Sequence, residues 1–397
     1  MHASSELPQP DADALAHSAR VSTLIAERID AAGGWIDFAD YMNLALYAPG
    51  LGYYSAGAAK FGAGGDFVTA PEVSDLFART LARAIEPMLA DRPGAVVLEL
   101  GAGTGALAAG ILRTLARDRT LPARYQILEV SADLRERQRR TLGDQAPELL
   151  SLVEWLDELP APIEGVVLAN EVLDALPVSR FRMVDDNGHG SVQSLGVAVR
   201  DGQFRWAERP APASIVDSVN AIGAMLGAPL PSGFTAEVNA NLPAFIAGVA
   251  GAIENGACLL IDYGLPTREL YGAERDTGTL ICHYRHRAHD DPFLYPGLQD
   301  ISAWVDFTAV ATAASVAGFS VASYATQAGF LIAAGIEDEF LAAGDDDSPA
   351  SRASLSGQMQ TLLMPGQMGE RFKVMCLTRG AVSVPAAVAQ ADESHRL

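Results

Sequence analysis

The chain has 397 residues, 49% of them hydrophobic, and carries 28 Lys and Arg against 49 Asp and Glu, a formal net charge of −21 at pH 7. No apolar run reaches the roughly 18–20 residues that cross a bilayer, which excludes a membrane span. An acidic excess of this size opposes the phosphate contacts on which nucleic-acid binding depends, and it fits equally a cationic partner or ligand and plain solubility.

The first thirty residues hold Glu6, Asp11, Asp13 and Glu27 and no apolar core. They are unlike a signal peptide or an Arg-rich transit peptide, so the cytoplasm is the expected compartment. Leu15, Val21, Leu24, Ile25 and Ile29 stand near helical spacing and predict a helix over 15–32, closed by Gly33-Gly34. A second helix is predicted over 38–47, ahead of Pro49-Gly50, and the Gly- and Tyr-rich stretch 50–65 reads as a loop able to cover a ligand.

From residue 95 onward, apolar runs at 95–100, 125–130, 165–169 and 257–261 alternate with helical stretches. That alternation predicts a mostly parallel sheet with crossover helices. Ligands of such sheets bind beyond the carboxyl ends of the strands, which singles out Gly101, Glu129, Asn170 and Asp262. Between 180 and 206, β-prone pieces separated by Asp185-Asp186-Asn187-Gly188 and Asp201-Gly202 predict an antiparallel insertion. A stretch rich in Ala and Pro over 208–232 and a helix over 242–254 follow. Helices are predicted over 303–317 and 329–342, and strands over 319–325 and 372–378 at an antiparallel sheet edge. Residues 344–349 read as a surface loop and the last fifteen or so as disordered. Cys258, Cys282 and Cys376 lie far apart without a CxxC pair and offer neither a disulfide framework nor a cysteine metal site.

The chemistry concentrates at VVLELGAGTG (96–105), a buried strand running into Gly101, Gly103 and Gly105 with Ala102 between them. Glycines there let the backbone approach a ligand closely. Gly101, Gly103 and Ala106 also satisfy the dinucleotide pattern G-x-G-x-x-G/A, so the turn alone leaves a nicotinamide oxidoreductase open. Two neighbours favour S-adenosylmethionine. Glu99 gives the E-x-G-x-G-x-G form found in methyltransferases, and Glu129 closes the next strand, where a carboxylate accepts hydrogen bonds from both ribose hydroxyls. The other reading of Glu129 is a cap for the helix over 132–140. The long spacing from Gly101 to Glu129 disfavours the dinucleotide site, whose acidic residue is expected roughly 20 residues on.

Downstream, ANEVLDALP (169–177) places Asn170, Glu171 and Asp174 beside the same strand ends. Asn170 is assigned to the cofactor. Glu171 and Asp174 form a carboxylate pair suited to hold a guanidinium with one nitrogen aimed at the methyl group, unless they only cap the next helix. Residues 278–311 gather His283, His286, His289, Arg285, Arg287, Asp290 and Asp291. No framework for a metal is evident, and a substrate-facing loop with His283 as proton acceptor is expected instead.

With these blocks assembled, the chain resembles the MidA-like methyltransferase family. The likeness rests on GYY (52–54), GDFVTAPEVS (65–74), ELGAGTG (99–105), YQILEVSADLRERQ (125–138), ANEVLDALP (169–177), AEVN (236–239), IDYG (261–264), CHYRHRAHDDP (282–292), QDISAWVDFT (299–308) and MGERFKVM (368–375). Ser302 stands where the family motif has Thr. The resemblance implies an α/β fold of the class I methyltransferase type, a Rossmann-like mixed sheet with helices on both faces, plus an N-terminal helical region and inserted antiparallel and helical segments. It implies that GDFVTAPEVS lies over S-adenosylmethionine, with Asp66 and Thr69 as contacts. It further implies a protein substrate with an exposed arginine, a respiratory complex I subunit or its bacterial counterpart. A non-catalytic assembly factor that keeps the cofactor fold is the rival from another class. The expected division is 1–90 for N-terminal helices and covering loop, 91–178 with 256–380 for the methyltransferase core, 179–255 for a substrate-side insertion and 381–397 for a disordered tail.

Overall fold

Strands buried on both faces read as unbroken apolar runs, and VVLEL, GVVLA and ACLLI lie at the centre of a sheet for that reason. The computed structural model describes residues 7–56, 69–90, 92, 94–186, 189–343, 348–382 and 384–397. The chain divides into two compact units, the larger formed by 68–173, 243–264 and 307–397, the smaller by 1–67, 174–242 and 265–306.

The larger unit holds strands β1 (Val96–Leu100), β2 (Arg124–Leu128), β3 (Val153–Leu156), β4 (Ile163–Asn170), β5 (Ile253–Leu265), β6 (Ser320–Thr326) and β7 (Phe372–Arg379). Their order across the sheet is β6-β7-β5-β4-β1-β2-β3. β5, β4, β1, β2 and β3 run parallel to one another, whereas β7 is antiparallel to both β5 and β6. The mixed sheet with an antiparallel edge, flanked by helices, is the expected class I architecture. Helices Asp75–Ala90, Ala106–Arg117 and Ala132–Gln145 are amphipathic. The first two bury Leu81, Ile85, Leu107 and Ile111 in one core with Val97, Val166 and Leu259 of the sheet. Each such side chain contributes about 1.5–3 kcal/mol. The two helices pack at Gly110, where an added Cβ would sit 2.4 Å from the Ala78 Cβ.

The smaller unit contains a four-stranded antiparallel sheet in the order Gln203–Pro210, His189–Arg200, Ser179–Asp186 and Thr235–Val238. The Asp201-Gly202 turn has both residues left-handed, at φ 52° and 73°, as a two-residue hairpin requires. Asn187 and Gly188, the other expected turn, lie outside the described residues. A second sheet has the order Arg287–His289, Ile281–Tyr284, Asp300–Ser302. Helix Phe38–Tyr47 buries Phe38 and Tyr41 against Phe204, Trp206 and Phe293, and the Tyr41 hydroxyl donates to the Pro292 carbonyl at 2.7 Å.

Several expectations change. Segment 265–306, assigned to the methyltransferase core, belongs to the smaller unit, and three of its strands, Ile281–Tyr284, Arg287–His289 and Asp300–Ser302, form a sheet of their own. Helix Asp75–Ala90, assigned with the N-terminal region, belongs to the larger unit. The terminal residues, read as disordered, form helix Ala386–Gln390 with Val388 fully buried, and the Tyr324 amide donates to Asp392 Oδ1 at 3.0 Å. The stretch 208–232 contains helix Ala213–Leu226, closed by left-handed Gly227. The helix predicted over 329–342 is two, Gln327–Ala333 and Ile336–Ala343, separated at left-handed Gly335.

Candidate functional site

The donor half of the site lies in the larger unit. After β1 the chain turns through Gly101, Gly103 and Gly105, all left-handed at φ 65°, 53° and 84°, a region that strains any side chain with a Cβ. Gly105 caps helix Ala106–Arg117, so the free amides of its first turn and their positive dipole end open at the turn. The Gly101 amide donates to the Leu128 carbonyl at 3.0 Å, which continues the β1–β2 pairing to the strand ends.

Glu129, one residue beyond β2, is buried. Its Oε1 accepts the Ser131 amide at 2.9 Å and its Oε2 accepts the Gln138 side-chain amide at 3.0 Å. Capping of helix Ala132–Gln145 falls to Ser131, whose hydroxyl accepts the Leu134 amide at 3.3 Å, so the capping alternative for Glu129 is not realised. Arg135 ties the two strand ends, donating from Nε to the Glu129 carbonyl at 2.5 Å and from Nη2 to the Leu156 carbonyl at 2.6 Å and Asp157 at 2.7 Å. Glu99, within β1, is 2% exposed and accepts the Tyr125 hydroxyl at 2.6 Å. Burial pushes its carboxyl from the ordinary 4.5 up to about 7, with the Tyr125 bond pulling down and the Glu129 charge adding to the rise. Ala102 is buried beside the turn.

The next strand end carries Asn170 and Glu171. Glu171 is left-handed at φ 55°, a conformation that costs a branched or long residue about 1–2 kcal/mol and persists only where its surroundings dictate it. Those surroundings are visible. The Glu171 amide donates to the Ile261 carbonyl at 2.8 Å, and the amides of Val172 and Leu173 donate to Asp262 Oδ2 at 3.2 and 2.9 Å. Asp262, 1% exposed, thus sets the turn that presents Glu171. Asn170 Nδ2 donates to Glu171 Oε1 at 3.2 Å, and its buried Oδ1 has no hydrogen-bond partner among the described residues. Since β1 and β4 are neighbours, this turn reaches the glycines: a Cβ on Gly101 would lie 3.5 Å from Val172 Cγ2.

Asp66 lies outside the described residues. Thr69 starts helix Ala70–Val73, its amide 3.5 Å from the Glu72 carboxylate. Asp174 and His283 belong to the smaller unit, where Asp174 is buried and its carbonyl accepts the Ala303 amide at 3.1 Å. His283 pairs across the strands with Asp300, a buried carboxylate that accepts the Tyr54 and Ser302 hydroxyls at 2.8 and 2.9 Å. Burial raises the Asp300 pKa, against the Tyr54 bond and the nearby His283. His289, of the same hairpin, is held below the ordinary imidazole range by burial. Residues 285 and 286 form a left-handed turn at φ 47° and 60°. Residues 282–289 of the histidine-rich stretch therefore form a tight hairpin.

A turn of three left-handed glycines, a buried carboxylate able to take hydroxyl donors and an amide oxygen with no donor among the described residues together suit an adenosyl ligand with a diol and an amine. Residues 76–325 match the model of the family described as "Putative S-adenosyl-L-methionine-dependent methyltransferase". The chain is 30% identical to the mitochondrial protein arginine methyltransferase NDUFAF7 of Danio rerio, covering 88% of this chain and 84% of that one. It is 28% identical to the Homo sapiens protein of the same name, over 87% and 80%. A crystal structure from Burkholderia thailandensis, bound to S-adenosyl-homocysteine, superposes with a TM-score of 0.91 at 43% identity, covering 99% of this chain and all of that one. The nicotinamide reading falls with this ligand, and the chain belongs to the MidA-like family of S-adenosyl-L-methionine-dependent methyltransferases.

Proposed function

We propose that this methyltransferase modifies an arginine of a protein substrate, for which a respiratory complex I subunit is the candidate implied by the sequence resemblance. The observation that carries the reading is the strained Glu171, a carboxylate held at the strand end next to the glycine turn. When bound, S-adenosyl-L-methionine supplies an electrophilic methyl group on a cationic sulfur. Gly101, Ala102, Gly103 and Gly105 shape its cradle, Glu129 takes the ribose hydroxyls, and Glu99 and Asn170 add carboxylate and amide acceptors. Glu171 accepts N–H bonds from a guanidinium, the geometry a carboxylate matches in bidentate fashion, and so fixes the direction of the remaining nitrogen. Orientation of this kind supplies most of the rate in a direct displacement. The formal charge of −21 suits a basic substrate segment. The Danio rerio and Homo sapiens relatives are both named protein arginine methyltransferases, which supports the arginine acceptor. Asp174 and His283 lie in the smaller unit, and the acceptor role rests here on Glu171.

Radiolabelled methyl incorporation into a lysate lacking the endogenous enzyme, followed by mass spectrometry for methylarginine, tests the proposal. Glu171→Gln should abolish incorporation while S-adenosylhomocysteine still binds within about threefold of wild type. Retained turnover in that variant rejects the acceptor role, and label on residues other than arginine rejects the substrate class.

A further inference from the structure

Gln138 lies fully buried on helix Ala132–Gln145, where a polar amide is costly unless every group finds a partner. It finds them on three different strand ends. Its Nε2 donates both to the Gly103 carbonyl at 3.1 Å and to Glu129 Oε2 at 3.0 Å, and its Oε1 accepts the Trp155 indole N–H at 2.9 Å. The glycine turn after β1, the carboxylate after β2 and the indole of β3 are thereby fastened to one side chain. The backbone is fitted around it too: a Cβ on Gly105 would stand 3.1 Å from the Gln138 Cα.

The terminal torsion of a glutamate is broad, so a carboxylate held by one bond turns readily. Glu129 is held at both oxygens, by the Ser131 amide on one and Gln138 on the other. A carboxylate offers about four acceptor sites, so an oxygen that takes one N–H bond keeps the capacity for a hydroxyl. Both bonds fix the plane in which those capacities point. The same Nε2 binds the Gly103 carbonyl, so the orientation of the carboxylate is set relative to the glycine turn. We infer that Gln138 is a positioning residue that makes the cofactor site selective for an intact ribose diol, acting through Glu129. The inference rests on Glu129 as the ribose-binding group.

The test compares calorimetric binding of S-adenosylhomocysteine and of its 2′-deoxyribose analogue, with no methyl acceptor needed. Wild type should prefer the ribose form by at least tenfold. Gln138→Met keeps the length and removes both donors, and Gln138→Glu keeps the shape and replaces the donors with a second carboxylate facing Glu129. Each should narrow the preference to threefold or less. A preference kept at the wild-type ratio in both variants, even with weaker overall binding, overturns the inference and leaves Gln138 a packing residue. If the Gln138→Met protein fails to fold, the Gln138→Glu protein decides alone, and its folding is checked by the thermal transition. Glu129→Ala separates the two layers: an unchanged ratio there sinks the ribose role of Glu129 itself, whereas a collapsed ratio there beside an unchanged one in the Gln138 variants sinks only the role given to Gln138.

Discussion

Replacing Glu99 with Gln removes a carboxyl group that the fold holds in an unfavourable place. The folded larger unit keeps this group near 7 against the ordinary 4.5. Between those values the folded state binds a proton that the unfolded chain has released, so wild-type stability must fall as pH rises through the window. At 1.36 kcal/mol for each tenfold in acidity, the loss between pH 5 and 8 comes to roughly 2–3 kcal/mol. Gln does not titrate, and its carbonyl still accepts the Tyr125 hydroxyl. Its buried amide hydrogens cost about 1–3 kcal/mol if they find no partner, but that cost is the same at every pH. The stability of Glu99→Gln relative to wild type should therefore climb by roughly 2–3 kcal/mol from pH 5 to pH 8, a relative gain on the order of 5–10 °C in melting temperature. Thermal unfolding of both proteins at unit pH steps reads this directly. Melting curves separated by a constant offset across the range would show that burial of Glu99 does not set its proton affinity.

Two further substitutions probe packing and the smaller unit. Gly110→Ala should destabilise the larger unit by about 1–3 kcal/mol, because its methyl would meet Ala78 at 2.4 Å in a filled core; an unchanged denaturation midpoint would mean that the two helices separate freely. Tyr54→Phe leaves buried Asp300 without one of its two hydroxyl donors and should cost about 1–3 kcal/mol. A second change, Asp300→Asn, should recover part of that loss by removing the charge, and additive losses in the double variant would argue that the two groups act independently.

The strands of the parallel sheet were legible because burial on both faces leaves continuous apolar runs, as in Val96–Leu100 and Ile163–Asn170. Val153–Leu156 escaped because VEWL is short, interrupted by Glu154 and at the sheet edge. Helix Ala213–Leu226 was hidden by the prolines before it, although left-handed Gly227 at its end is a readable stop signal. The tail looked disordered by composition; what orders it is the burial of Val388 and the bond that the Tyr324 amide donates to Asp392, contacts distant in sequence. At the candidate site, Glu99, Glu129 and the glycines were picked out by local pattern. Asp262 stood out as a strand-end residue, but its bonds to the turn after β4 run between segments some ninety residues apart. Gln138 gave one faint signal, a polar residue on the buried stripe it shares with Leu134 and Leu142.

The central position of β5 has a consequence for how the protein comes to exist. β4 lies between β1 and β5, yet β5 begins at Ile253, more than eighty residues after β4 ends. On a ribosome adding about 5–20 residues per second, the growing chain carries β1 to β4 for several seconds with one flank of β4 unsatisfied, an open template for pairing with other chains. The intervening segment holds all four strands of the smaller unit's larger antiparallel sheet, so pairing within that segment is available before β5 is made. Ending synthesis before residue 253 should thus yield an aggregating product, even though the glycine turn and Glu129 are already made.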